Sequence, residues 1–339
     1  MTRGVPAPAG DIDEGVAWHY GDPHAEQRLL ASGRGVVDLS HFDVVTVSGP
    51  DRLTWLHALT TQHLEGLSAG SSSLALILSP HGHVEFELHL VDDGATTWII
   101  TQPGTASALV AHLESMKFMT RVEIADRTPD FAVVWEPTME RDLKHPTWIE
   151  PADFAGTGRV DAGSDRGGSA DKYVPSRPHG FPGREVILPR SDFADRVVRE
   201  PAGTWAWNAM RVAAAVPRVG QETDHRTLPH EVGWIGPAVH LAKGCYRGQE
   251  TVARVHNLGR PPRRLALALL DGSDEVLPAH GDPVFFEGAD VGWLGSAARH
   301  YELGPIATVV VKRSVPENAT IMVHHGDAQI AGALEPVVV

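Results

Sequence analysis

The chain has 339 residues, 42% of them hydrophobic and 21% charged, with a formal net charge of −14 and a single cysteine. That is enough for two or three domains around a sizeable core and leaves no cysteine pair for an intramolecular disulfide. The negative charge argues against direct, sequence-independent binding to nucleic acid, which depends on neutralising phosphates. The longest apolar runs, such as residues 74–78, are too short to span a bilayer, and the N-terminus lacks a basic region followed by an apolar one. The expectation is a soluble, cytoplasmic protein with no membrane partner.

Residues 1–12, rich in Gly and Pro, read as a mobile arm. A short helix is expected over 25–31, then strands over 36–40 and 44–47. Ser48-Gly49-Pro50-Asp51 reads as a helix start, with Leu53, Leu56 and Leu59 on one face. Strands over 74–78, 84–90 and 97–100 form an antiparallel meander, its first turn at Pro80-His81-Gly82. A helix over 105–118 and strands over 121–125 and 131–135 follow. Residues 156–170 are a low-complexity loop, residues 185–188 resume a strand, and residues 205–216 form a helix that places Trp207, Met210 and Ala214 on one face.

After Pro261-Pro262 come short apolar strands over 265–270, 283–286, 291–294, 306–311 and 321–323, the pattern of a small all-β barrel. A boundary therefore falls near Gly259, dividing 13–258 from 259–339. Strands and helices alternate without a long parallel crossover rhythm, so the class is α+β. His81 with His83, and His324 with His325, supply two ligands each at most and read as turn residues rather than metal sites.

The stretch Lys243-Gly244-Cys245-Tyr246-Arg247-Gly248-Gln249-Glu250 holds the only cysteine. An isolated cysteine is most often a small buried hydrophobe, but the Lys-Gly and Arg-Gly flanks describe a polar loop in which positive charge favours the thiolate. Residues 249–257 read as a helix stopped by Gly259 and Pro261, which puts Cys245 just before a helix N-terminus. Residues 243–264 hold one Lys and five Arg against Glu250 alone, so an anionic neighbour is expected.

Lys-Gly-Cys-Tyr-x-Gly-Gln-Glu, preceded by Leu228-Pro229-His230-Glu231 and followed by Val252-Ala253-Arg254, resembles the signature of the YgfZ family of folate-binding, GcvT-like proteins that help assemble or repair iron–sulfur clusters. The likeness runs from about Gly35 to the C-terminus. It implies a cloverleaf of two α+β subdomains, with a C-terminal β-barrel and a central site for tetrahydrofolate or a derivative. It also implies that Cys245 works as a thiolate, a shared ligand for a transient cluster. Lys243 and Arg247 would hold it ionised, within a motif completed by Gly244, Tyr246, Gly248, Gln249, Glu250 and Arg254. Folate contacts fall to Arg211, Glu231, Glu85 and Glu87. Partners would be iron–sulfur client enzymes or assembly proteins, with tRNA modification affected only indirectly.

The alternative is a folate-dependent aminomethyl or one-carbon transferase of the glycine cleavage type, and a second alternative is a folate-binding scaffold without chemistry. Two departures bear on the transferase. Where those enzymes carry an aspartate pair, this chain has Gly82-His83-Val84-Glu85-Phe86-Glu87. Where they carry Leu-Arg-Leu-Glu in the later helix, it has Met210-Arg211-Val212-Ala213, which removes a charge-assisted hydrogen bond of about 1 to 3 kcal/mol to a buried polar ligand.

Overall fold

The structure, a computed structural model, describes residues 4–155, 179–273 and 276–337; the low-complexity segment lies outside them. In chain order the elements are β1 (Val5–Pro6), β2 (Ala17–His19), α1 (Pro23–Ala31), β3 (Val36–Asp38), β4 (Asp43–Ser48), α2 (Arg52–Leu59), β5 (Ser72–Leu78), β6 (Val84–Asp92), β7 (Thr96–Thr101), α3 (Ala106–Met116), β8 (Glu123–Asp126) and β9 (Phe131–Glu136). Then come β10 (Thr147–Ile149), α4 (Ala152–Ala155), β11 (Arg184–Pro189), α5 (Arg190–Val197), β12 (Pro201–Ala202), α6 (Thr204–Ala213) and α7 (Gln249–Leu258). The last six are β13 (Arg263–Leu270), β14 (Pro283–Phe286), β15 (Ala289–His300), β16 (Gly304–Lys312), β17 (Thr320–His325) and β18 (Ala328–Pro336).

Two five-stranded sheets, ordered β10-β11-β9-β3-β12 and β5-β6-β7-β4-β8, stand beside a closed six-stranded barrel, β13-β16-β15-β14-β17-β18. Apolar side chains from β3, β5, β9, α6, β13 and β16 share one core built around Trp135, Trp148, Trp207 and Trp234. The barrel has a second core of its own, and α2 and α3 close a third against the outer face of the second sheet. Because Leu265, Leu267 and Val310 belong to the shared core, the barrel is fastened to the two sheets rather than hung from a linker at Gly259. Among the described residues no helix is long and apolar enough to cross a membrane.

The structure adds β1, β2, β10, α4, α5 and β12 to the elements read from the sequence and departs from the reading in four further places. Residues 4–12 are not a free arm: Val5–Pro6 pairs with Ala17–His19, Ala7 is buried, and Asp13 just beyond is wholly buried. The anchor is ionic, Arg218 Nη1 donating to Asp13 Oδ1 at 2.7 Å, and composition gives no sign of it. Helix α1 starts at Pro23 because the Asp22 carboxylate accepts from the backbone N–H of His24 and Ala25. Asp51 does not cap α2 with its side chain; its carboxylate takes Arg121 Nε and Nη2 instead. The barrel gains β18, which pairs with both β13 and β17 to close it. Its sequence, Ala-Gln-Ile-Ala-Gly-Ala-Leu-Glu-Pro, lacks the β-branched run that marks the other strands.

Candidate functional site

A small cavity of about 30 Å³ lies where β5, β6, β10, β11 and α6 converge. Phe42, Trp148, Phe154, Phe181 and Trp207 form its apolar walls, while Glu87, His89, Gln102, Glu150, Glu185, Arg211 and Arg218 bring polar groups to it. Alternation along β6 explains two of these, since Glu87 and His89 are two residues apart and face the same side of the sheet. Glu185 arrives from β11 of the other sheet. The two sheets thus meet through their side chains, His89 Nδ1 lying 2.7 Å from Glu185 Oε2 and His89 Nε2 3.6 Å from Glu87 Oε1.

The His89 ring stacks on Trp148 with centroids 3.9 Å apart and planes 11° from parallel. Trp148 is itself fixed by donating Nε1–H to the Ser73 carbonyl at 3.1 Å. Burial opposes a charge on His89, but the carboxylates of Glu185 and Glu87 outweigh it and raise the imidazole pKa to about 10. At neutral pH the cavity therefore holds an imidazolium between two carboxylates.

The network continues along the wall. Gln102 Nε2 donates to Glu87 Oε2 at 3.4 Å, and Gln102 Oε1 accepts from Arg218 Nε at 2.7 Å. Asp13 takes Arg218 Nη1, His41 Nε2 lies 2.9 Å from the same carboxylate, and Asn208 Nδ2 donates to its other oxygen at 2.6 Å. Burial raises the Asp13 pKa, but Arg218 and His41 outweigh it and hold the carboxyl well below the ordinary range. Arg211 lines the cavity too, but its donors are used: Nη1 reaches the Val216 carbonyl and Glu222, Nη2 reaches Ser296 Oγ at 2.6 Å, and Nε reaches Asn208. It ties α6 to the barrel.

Of the four expected folate contacts, Glu87 and Arg211 line this cavity; Glu85 and Glu231 do not. Glu85 is exposed at the end of β6 where its pairing with β5 shifts register, 3.4 Å from Arg247. Glu231 is wholly buried, but in the turn Pro229–Val232, where it accepts from the Leu228 N–H and from Arg263 Nη2 at 2.8 Å. The sequence reading missed His89, Glu185, Gln102, Arg218 and Trp207. The signal available for His89 was the polar alternation within an otherwise apolar strand; Glu185 and Arg218 gave none, because their roles depend on a second element.

Cys245 is exposed, and its loop differs from the picture of a thiol ringed by cations. Lys243 is buried and donates Nζ–H to the carbonyls of His57 and Thr60, over the Tyr246 ring at 5.2 Å. Burial lowers its pKa to about 8. Arg247 is paired with Glu85, Arg263 with Asp224 and Glu231, and Arg264 is buried, donating to the Val315 carbonyl. The sequence cluster of positive charge is therefore not one patch: among its members only Arg247, Arg254 and Arg260 are exposed. Helix α7 begins at Gln249 with Gly248 as its cap, in the left-handed region at φ 80°.

Gly248 needs no side chain for a second reason. A Cβ there would come 2.6 Å from the Ser79 carbonyl oxygen and 2.8 Å from Gly82 Cα. The Cys245 loop thus sits on the β5–β6 turn, which Ser79 Oγ tightens by accepting from the N–H of His81 and His83. Gln249 and Glu250 open α7, and the exposed Arg254 lies one turn further on. Among the described residues no group of three or more His, Cys, Asp or Glu side chains could hold a metal ion. His324 stacks on Phe285 and His325 pairs with Asp282.

Residues 17–135 match the family model for the GCVT N-terminal domain. The chain is 25% identical over 316 residues to the aminomethyltransferase of Bacillus subtilis, covering 88% of this chain and 84% of that protein. It is 27% identical over 313 residues to a chloroplastic protein of Arabidopsis thaliana named as a transferase, covering 87% and 70%. The crystal structure of glycine cleavage system aminomethyltransferase T from Bartonella henselae superposes with a TM-score of 0.71 at 18% identity, covering 96% of this chain and 92% of that one. The fold is GcvT-like.

Proposed function

We propose that this GcvT-like chain binds a tetrahydrofolate-type ligand between its two sheets, where the small cavity must open to admit it, and that it assists assembly or repair of iron–sulfur clusters in client enzymes through the thiolate of Cys245. The observation that carries the reading is a physical connection between thiol and cavity. The exposed Cys245 loop rests on the β5–β6 turn, and the strand leaving that turn carries Glu87 and His89 into the cavity. Filling the cavity bears on β6, and β6 bears on the loop. One thiolate cannot hold a cluster alone, so the remaining ligands come from a client, an assembly protein or a small thiol.

The names of the relatives favour a second reading, folate-dependent aminomethyl transfer. Of the two carboxylates expected to serve it, Glu85 and Glu87, only Glu87 lines the cavity, where it is buried. It needs no thiol. Complementation separates the two. The gene is deleted from its host, and either the native chain or Cys245→Ser is returned. A cluster-dependent dehydratase and glycine cleavage are then assayed side by side. The cluster reading requires that dehydratase activity fall on deletion and be restored by the native chain alone. Equal rescue by Cys245→Ser sinks it, and a loss confined to glycine cleavage selects the transferase.

A further inference from the structure

Helix α2 ends at Leu59, and the last carbonyls of a helix have no partner within it. Lys243 supplies one from far along the chain. Its Nζ donates to the carbonyls of His57 and Thr60, at the end of the helix where the dipole favours a cation. Lys243 is 6% exposed; burial lowers its pKa, but only to about 8, so the ammonium is charged at neutral pH. The backbone before it is stitched to the same place. His240 N–H donates to the Thr61 carbonyl at 2.9 Å, Thr61 Oγ donates to the Ala238 carbonyl at 2.7 Å, and Gln62 Nε2 donates to the Pro237 carbonyl at 3.2 Å.

Beyond Lys243 the chain comes out to solvent and goes back in. Gly244 and Cys245 are exposed, whereas Tyr246 is buried and belongs to the shared core. The ammonium that caps α2 also lies 5.2 Å from the centroid of the Tyr246 ring, within reach of a cation–π attraction. One buried cation therefore holds both feet of a short arch, and the thiol stands on the arch. Gly248, packed against Ser79 and Gly82, fixes the chain on the far side. The partners of the ammonium are carbonyls and a ring on the buried side of the loop.

We infer that Lys243 is a positioning residue for Cys245: by joining the end of α2 to Tyr246 it fixes the arch on which the thiol is presented, and it does not set the charge of the thiol. The inference rests on the reading that Cys245 is the working thiol. A thiolate that completes a ligand set held partly by another molecule must arrive in one place. Misplacement of a reacting group by about 1 Å can cost about a hundredfold in rate.

Because the chain has a single cysteine, a thiol reagent labels Cys245 alone. The full chain is compared with Lys243→Met, which keeps the length of the side chain and removes the ammonium. A nitroxide attached to Cys245 reports the order of the arch, and in the variant it should turn about threefold faster or more, in the nanosecond range of loop motion. The rate of reaction with a neutral pyridyl disulfide, followed from about pH 6 to about pH 10, reports the ionisation of the thiol. Its midpoint should stay within about half a pH unit of the native one, whereas loss of a cation that acts on the thiolate would raise it by about one unit or more. In the complementation assay Lys243→Met should restore dehydratase activity at least about tenfold less well than the native chain. If Lys243→Met does not fold, Tyr246→Leu, which removes the other foot, should loosen the label at an unchanged midpoint. A midpoint that rises by more than about half a unit, or a label that is no freer, overturns the positioning role. So does full dehydratase rescue by Lys243→Met with a loosened label. Full rescue by Cys245→Ser overturns the reading of Cys245 as the working thiol, and the inference with it.

Discussion

Gly248 and Gly82 meet backbone to backbone: a Cβ on Gly248 would lie 2.8 Å from Gly82 Cα, and a Cβ on Gly82 would lie 3.2 Å from the Gly248 carbonyl oxygen. Both sit in the left-handed region, at φ 80° and 81°. Gly248→Ala therefore faces strain and collision together, and stability should fall by about 1 to 3 kcal/mol. The loop that carries Cys245 should shift off the β5–β6 turn. Thermal unfolding with and without tetrahydrofolate checks both points. The native chain should gain stability from the ligand and the variant less of it; an equal gain in both means that loop and cavity are not connected.

The buried imidazolium gives a pH dependence with a definite sign. The pKa of His89 in the folded chain, about 10, lies above its ordinary value of 6.5. Its contribution to stability is therefore complete below about pH 6.5 and is lost as pH rises toward 10, with a slope of up to about 1.4 kcal/mol per pH unit for one proton. Lys243 acts in the opposite sense above pH 8, because its pKa is lowered to about 8 and the folded state gains as the chain loses that proton. Denaturant titrations of the native chain and His89→Gln across this range cancel the Lys243 contribution. The stability gap between them should shrink as pH rises; a gap that holds constant means that His89 is not charged in the folded state.

Glu87 is the one expected carboxylate that reaches the cavity, and Glu87→Gln tests what it does there. The substitution keeps the shape and removes the charge that faces His89 and Gln102. If the carboxylate accepts from the ligand, tetrahydrofolate affinity should drop by about tenfold or more, the scale of a hydrogen bond to a charged group. Glu85→Gln, at an exposed position of the same strand outside the cavity, should leave affinity as it was. Equal losses in both variants point to a general disturbance of β6 instead of a contact.

How much of this was legible in the sequence follows from the range of each interaction. The five expected helices, the meander and five of the barrel strands are set by local periodicity and by breakers such as Pro80, Gly82 and Pro261, and the structure has them, while α4 and α5 were not read. β18 was missed because Ala and Gly carry no strand preference of their own, and its place is fixed by β13 and β17 pairing with it. Glu87 and Glu85 were indistinguishable as letters, and plain alternation would put both on one side; the register shift between β5 and β6 at Glu85 breaks that alternation, so that only Glu87 lines the cavity while Glu85 meets Arg247. The positive run around Cys245 was read as one field, but the fold carries Lys243 and Arg264 inward and gives Arg263 two carboxylates. The thiol itself was read as reachable from its glycine-rich flanks, and it is exposed.

The exposed thiol gives the last prediction. In the folded chain Cys245 should react with a soluble disulfide reagent to one equivalent without denaturant, since its accessibility belongs to the native state. Arg247 is the nearest cation in sequence that remains exposed, and Glu85 holds it at 3.4 Å. Releasing it with Glu85→Gln leaves its positive charge uncompensated beside the loop, which favours the thiolate. The reaction near neutral pH should then speed up by about two- to fivefold, the scale of one solvent-screened charge pair. Added salt should erase the difference, because exposed charges are screened within about 8 Å at physiological ionic strength. A rate in Glu85→Gln equal to the native one at low salt means that Arg247 does not act on the thiol. The ionisation of Cys245 would then depend on what a partner brings to the loop.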